Sequence, residues 1–117
     1  MKPDWTLIAN ATRARLLQQE QGAPMVILES FVHPAGPARQ AHIEFARELA
    51  HVLEQEARLD HFHSLTIFAS GPFLDEIKAE LGRATRDLLT AAHELDLTRC
   101  GLSELEQRIS HETATAR

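Results

Sequence analysis

Three strand-length runs stand in the opening segment of the chain, and the breaks between them are only a few residues long. The runs are Trp5 to Ala9, Arg13 to Gln19 and Met25 to Val32, separated by Asn10-Ala11-Thr12 and by Gln21-Gly22-Ala23-Pro24. Parallel neighbours need a crossover of a dozen or more residues between them, and no such length is available here. The segment is therefore expected to form an antiparallel three-strand meander. Its third member, Met25-Val26-Ile27-Leu28-Glu29-Ser30-Phe31-Val32, carries the apolar and β-branched content that favours a strand.

His33-Pro34-Ala35-Gly36-Pro37 ends this regime, because two prolines and a glycine disfavour regular structure. From Arg39 to Arg58 the apolar spacing becomes helical: Phe45, Leu49, Val52 and Leu53 form one stripe, and Glu44, Glu48, His51 and Gln55 another. Leu65 to Ala69 is a further short strand. Ser70-Gly71-Pro72 then opens a second helix, with a small polar cap residue and a proline in the first turn, where a missing N–H costs nothing. Leu74, Ile77, Leu81, Ala84 and Leu88 recur at steps of three and four, which predicts one continuous helix. Glu94 to Thr98 is expected as a last short strand. Ser103-Glu104-Leu105-Glu106 fits a capping box that starts a short final helix, with a frayed tail from His111. The order β-β-β-α-β-α-(β)-α predicts an α/β fold. Its mixed sheet would join the meander to parallel βαβ strands, with helices on the flanks, in one domain over residues 1–117.

The size permits this. A chain of 117 residues buries about two-thirds of its unfolded surface, enough for a core without covalent staples. The single cysteine, Cys100, cannot form an internal disulfide, no secretory signal is evident, and no apolar stretch approaches the length of a membrane span. These features point to a reducing cytoplasm and away from a membrane. The net charge of −5 argues against a dedicated non-specific nucleic-acid binder, although a local basic patch can still act within the screening length.

Leu7-Ile8-Ala9-Asn10-Ala11-Thr12-Arg13-Ala14-Arg15, Phe45-Ala46-Arg47-Glu48-Leu49, Leu65 to Leu74, and Glu94-Leu95-Asp96-Leu97-Thr98 before a capped helix resemble a bacterial family. That family is labelled "protein required for attachment to host cells". The resemblance covers nearly the whole chain in the right order. It implies a fold similar to the middle domain of archaeal and eukaryotic peptide-chain release factors and Pelota, itself ribonuclease H-like. Two departures bear on activity. Release factors carry Gly-Gly-Gln between the third strand and the long helix. Here the stretch reads His33-Pro34-Ala35-Gly36-Pro37-Ala38-Arg39-Gln40, without the tripeptide and stiffened by proline. It is also short for the attachment family, whose members usually carry a longer polar insertion there. A ribonuclease H-type site needs converging carboxylates around divalent ions, one of them on the first strand, where this chain ends in Asn10. Both departures argue against an enzyme, and no catalytic residue is assigned.

The remaining candidates each have a simpler alternative. His61 and His63 flank Phe62, and two histidines at i and i+2 share a strand face; His33, His51 or His93 would have to complete a metal site. The simpler reading is two polar residues around an apolar one, and no metal or other cofactor is expected. Cys100 has Arg99 beside it, which would lower its thiol pKa, but no histidine partner is evident, and an incidental thiol is simpler. Ser70 lacks a nucleophile elbow and reads as a helix cap. With Gly71 it also lies at a strand end and helix start, where free N–H groups favour anions. Arg13 and Arg15 fall on one strand face, and with Arg39 and Gln40 could form a basic patch for ribosome, RNA or an acidic protein. The acids Glu44, Glu48, Glu54 and Glu56 read as solvated.

The sequence thus favours a non-catalytic binding module with translation-factor character. Two alternatives remain. One is an enzyme, either a hydrolase using Gln40 in a remodelled loop or a metal-dependent one using His61 and His63. The other is a self-associating structural protein, joined through a sheet edge or the last helix.

Overall fold

A computed structural model describes residues 2–33 and 39–115. The first apolar run is strand β1 (Asp4–Ala9), followed by β2 (Arg13–Gln19) and β3 (Val26–Val32). Helix α1 (Arg39–Arg58), strand β4 (Ser64–Ala69), helices α2 (Gly71–Glu80) and α3 (Arg83–Leu88), strand β5 (Leu89–Glu94) and helix α4 (Leu102–Thr115) follow. One five-stranded sheet runs in the order β3-β2-β1-β4-β5. The β1–β2 and β2–β3 pairs are antiparallel, and the β1–β4 and β4–β5 pairs are parallel. This is the mixed sheet that the link lengths predict.

Alternation along β1 explains the layering. Trp5, Leu7 and Ala9 join Phe45, Leu49 and Leu53 of α1 and Phe73, Leu74 and Ile77 of α2 in one apolar cluster. Ile8 points the other way, into a second cluster with Leu17, Met25, Phe68, Leu97, and Leu105 and Ile109 of α4. The sheet is therefore sandwiched, with α1, α2 and α3 on one face and α4 on the other. The β2–β3 connection tightens through a bond from the Ala23 amide to the Glu20 carbonyl (3.0 Å), with Gly22 at φ 82°. A side chain there would be strained.

Three boundaries depart from the sequence pattern. The helix expected through Leu88 breaks at Leu81-Gly82, where Leu81 is extended (φ −62°, ψ 135°) and Gly82 caps α3. The last strand is Leu89–Glu94, five residues earlier than the expected Glu94–Thr98. Its Ala, His and Glu content has little strand propensity, so pairing with β4 and a bond from Thr90 Oγ1 to the Leu65 carbonyl (2.9 Å) override local preference. The final helix starts at Leu102, so Ser103 lies inside it and caps nothing; Leu105 N bonds the Gly101 carbonyl (2.9 Å). It also runs to Thr115, through the tail expected to fray from His111.

The break at Gly82 depends on Glu54, whose side chain is not solvated as its position among acids suggested. Gly82 has no side chain to cap α3, and the Glu54 carboxylate takes that role from α1. It accepts the Thr85 amide (3.0 Å), the Thr85 hydroxyl (2.9 Å) and the Ala84 amide (3.3 Å), with Arg58 Nε at 3.0 Å. These bonds, led by the Thr85 amide, outweigh desolvation and lower its pKa from 4.5 to about 2. A Cβ at Gly82 would stand 2.4 Å from Glu54 Cδ, so only glycine leaves room for the cap.

Because the folded-state pKa lies below the unfolded one, Glu54 adds stability in full above pH 4.5, and that contribution disappears as pH falls toward 2. Urea unfolding followed over this range is expected to show a smaller acid-induced loss in Glu54→Gln than in the parent. Gly82→Ala should cost about 1–2 kcal/mol at neutral pH, the scale of a lost helix cap.

Candidate functional site

The C-terminal ends of β1, β3, β4 and β5 lie at one end of the sheet, beside the start of β2. Asn10 organises this end. Its Oδ1 accepts the amides of Thr12 (2.9 Å) and Arg13 (3.0 Å) and the Thr12 hydroxyl (3.1 Å), turning the chain from β1 into β2. Its Nδ2 donates to Thr98 Oγ1 (3.0 Å), in the segment between β5 and α4. Asp96 holds the same threonine, accepting its amide at 2.9 Å and its hydroxyl at 2.6 Å. Burial works against the Asp96 carboxylate, but the Thr98 bonds, Asn10 and the charge of Arg99 prevail and lower its pKa.

Arg15 fastens this segment to the sheet. On the α4 side of β2, its Nη2 donates to the carbonyl oxygens of Leu97 (3.2 Å), Thr98 (2.8 Å) and Cys100 (2.8 Å). Beside the clasp opens a groove of about 590 Å³, lined by Arg13, Arg15, Val32, Thr98, Arg99 and Cys100 among others. Arg13 and Arg99 are exposed along it, and Val32 is 80% exposed. Arg13 and Arg15 do share a strand face, yet their tasks differ: one faces solvent and the other is committed to three carbonyls. Cys100 is no activated thiol despite Arg99 beside it. Burial first, then the charge of Glu104, raise its pKa against the opposing influence of Arg108 and Arg15.

Arg39 and Gln40 open α1, which descends from the same end of the sheet, and both are exposed. Gln40 Nε2 lies 3.5 Å from Glu44 Oε1 within the same helix. The stretch 34–38, which the sequence compares with the Gly-Gly-Gln loop, lies outside the described residues. His33, just before it, stacks on Phe45 at 5.2 Å.

Ser70 is the N-cap of α2, but its side chain makes no cap bond. A Cβ at Gly71 would lie 2.8 Å from Glu94 Oε1, which places the Glu94 carboxylate of β5 over this helix start. An incoming anion would meet a negative charge already at the positive end of the dipole.

His61 and His63 are drawn to different acids. His61 Nδ1 bonds Glu56, whereas His63 Nε2 lies 2.8 Å from Asp4 Oδ1, and Phe62 between them is fully buried against Trp5. Of the proposed third ligands, His33 stacks on Phe45, His93 stacks on Phe68 at 4.8 Å, and His51 is exposed on α1. Among the described residues no three His, Cys, Asp or Glu side chains come together as a metal site.

A family model described as "Protein required for attachment to host cells" matches residues 32–109. The chain belongs to that family. The match runs from the end of β3 through most of α4. No curated protein matches. Among solved structures, an archaeal translation termination factor, aRF1, is similar at TM-score 0.61 and 16% identity over 87% of this chain and 32% of that one. A second archaeal protein gives 0.64 and 15% over 92% and 32%. S. cerevisiae Dom34, a translation termination-like factor involved in RNA quality control and interacting with Hbs1, gives 0.58 and 11% over 86% and 31%. This attachment-family chain thus has the fold that its resemblance implies, and it spans about a third of the length of those structures. No helix among its described residues is long and apolar enough to cross a membrane.

The polar corner of Asn10, Asp96 and Thr98 was not singled out from the sequence. Its signal is the pair of short patterns Asn-x-Thr and Asp-x-Thr, each able to form a side-chain-closed turn. The Arg15 clasp gives a direct contrast. Arg15→Ala should destabilise the attachment-family domain by about 2–3 kcal/mol, since bonds from a charged donor are the strong class. Arg13→Ala should stay within about 0.5 kcal/mol. Chemical unfolding followed by Trp5 fluorescence measures both.

Proposed function

We propose that this attachment-family chain is a binding module without catalytic chemistry, and that it docks ribosomal RNA on the basic corner of its sheet. The observation that carries this reading is the groove where Arg13 and Arg99 face solvent beside an anchored Arg15. Exposed guanidinium groups are suited to phosphate, which they can meet with two parallel bonds. Arg39 and Gln40 extend the surface at the same end of the sheet, on the α1 side. The net charge of −5 makes this cluster a local departure from the global field, so contact depends on placement rather than bulk attraction.

The likeness to aRF1 and Dom34 supports a translation setting for the fold. Against catalysis stand the proline-bearing 33–40 sequence in place of Gly-Gly-Gln, the amide Asn10 where a nuclease strand needs a carboxylate, and the separate pairings of His61 and His63.

Co-sedimentation with ribosomes, and anisotropy with labelled ribosomal RNA, test this reading. Binding should weaken as salt rises, the log affinity falling by about 0.7–0.9 per neutralised phosphate against log salt. A triple Arg13→Glu, Arg39→Glu, Arg99→Glu variant should lose most of the signal while keeping its melting temperature. Equal binding by that variant would exclude the corner, and capture of an acidic protein alone would exclude RNA as the partner. Arg15 is left intact because it holds the fold.

A further inference from the structure

β3 is an edge strand, and six of its seven residues are exposed, Phe31 being the buried one. Val26, Ile27 and Leu28 are 43, 43 and 42% exposed. Among the described residues no strand pairs with its outer side. An open edge with apolar side chains is a template for one more strand.

The two faces of that edge differ in chemistry. Residues paired across β2–β3 share a face, so Glu29 stands with Leu16 on the α1 side, and Ile27 stands with Leu17 on the α4 side. On the α1 side a groove of about 430 Å³ runs beside the edge. Trp5, Leu16, Val52 and the edge residue Leu28 contribute apolar lining that can take an aliphatic stem, and Glu20, Glu29 and Glu56 bring carboxylates to it. Glu56 is engaged by His61, whereas neither Glu20 nor Glu29 has an ion-pair partner among the described residues. On the α4 side the edge offers Ile27 and Val32, with Arg13 paired opposite Val32.

From these two faces we infer that the β3 edge accepts an extended peptide whose side chains alternate between basic and apolar. Added as a sixth strand, such a peptide points alternate side chains to opposite faces. Its Lys or Arg side chains meet Glu20 and Glu29, and its apolar ones cover Ile27 and Val32, where Arg13 would repel a cation. A second copy of this chain is the poorer occupant. Antiparallel pairing of β3 with itself brings two sets of carboxylates to one seam, between chains that each carry −5. The register also slips by one residue at Leu28, passing from Leu16–Glu29 to Leu17–Ile27, and a bulge with a charged edge discourages indiscriminate pairing.

The test uses two ten-residue synthetic peptides, one alternating Lys and Val and the other Glu and Val. The Lys/Val peptide should bind in fluorescence anisotropy, weaken with salt, and increase hydrogen-exchange protection of the Val26–Val32 amides. A Glu20→Gln, Glu29→Gln double variant, with an unchanged melting temperature, should bind it about tenfold more weakly, a loss that near charge pairs can supply. Equal binding of both peptides, no binding, unaltered affinity in the double variant, or protection away from β3 would each overturn the proposal. So would concentration-dependent dimerisation that protects β3 without peptide.

Discussion

Strand β1 stands third in a five-stranded sheet, and its neighbouring residues Leu7 and Ile8 point to opposite faces with 1% and 0% exposure. A strand covered on both sides requires two separate apolar clusters, and the rest of the chain is arranged to provide them. The meander supplies one neighbour, β2, and the α1 crossover supplies the other, β4, in parallel. α1 and α2 then close one face. The opposite face falls to α4, the last described element, which among its described residues brings Leu105 and Ile109 into the buried cluster with Leu102 packed against it. Burial of each large apolar side chain contributes about 1.5–3 kcal/mol, so this thinner layer benefits from the additional fastening that Arg15 gives the segment leading into α4.

Long elements with one dominant period were legible in the sequence. The three opening strands, α1 and β4 needed only run length and spacing, and their observed bounds differ from the expected ones by a residue at most. Legibility failed where tertiary partners decide. Leu74 to Leu88 keeps a helical period through Gly82 because both halves pack on the same core, and the break depends on Glu54, nearly thirty residues away. β5 has the composition of a helix end and becomes a strand through its pairing with β4. The basic corner was half legible. Alternation placed Arg13 and Arg15 together, but nothing local reveals that one of them is taken by the carbonyls of residues 97, 98 and 100.

Charge is segregated despite the acidic total. The Arg13 corner lies where β1 ends, on the α4 side, whereas Glu20 lies beyond the opposite end of β2, and the acid-bearing groove opens on the α1 side. The fold therefore separates two surfaces of opposite sign with a sheet and its apolar layers between them. Three carboxylates are committed to local structure: Glu54, largely shielded, caps α3, while the exposed Asp96 and Glu94 hold a turn and stand over a helix start. Part of the formal negative charge thus serves the architecture, with Glu54 withdrawn from solvent and Asp96 held against Thr98.

Cys100 lines the basic groove, and its raised pKa keeps it a protonated thiol at neutral pH. Thiol–disulfide exchange and peroxide oxidation both proceed through the thiolate, so this sulfur is slow to enter either. The groove therefore holds a half-buried thiol rather than a thiolate, and its sulfur is a weak nucleophile beside the exposed arginines.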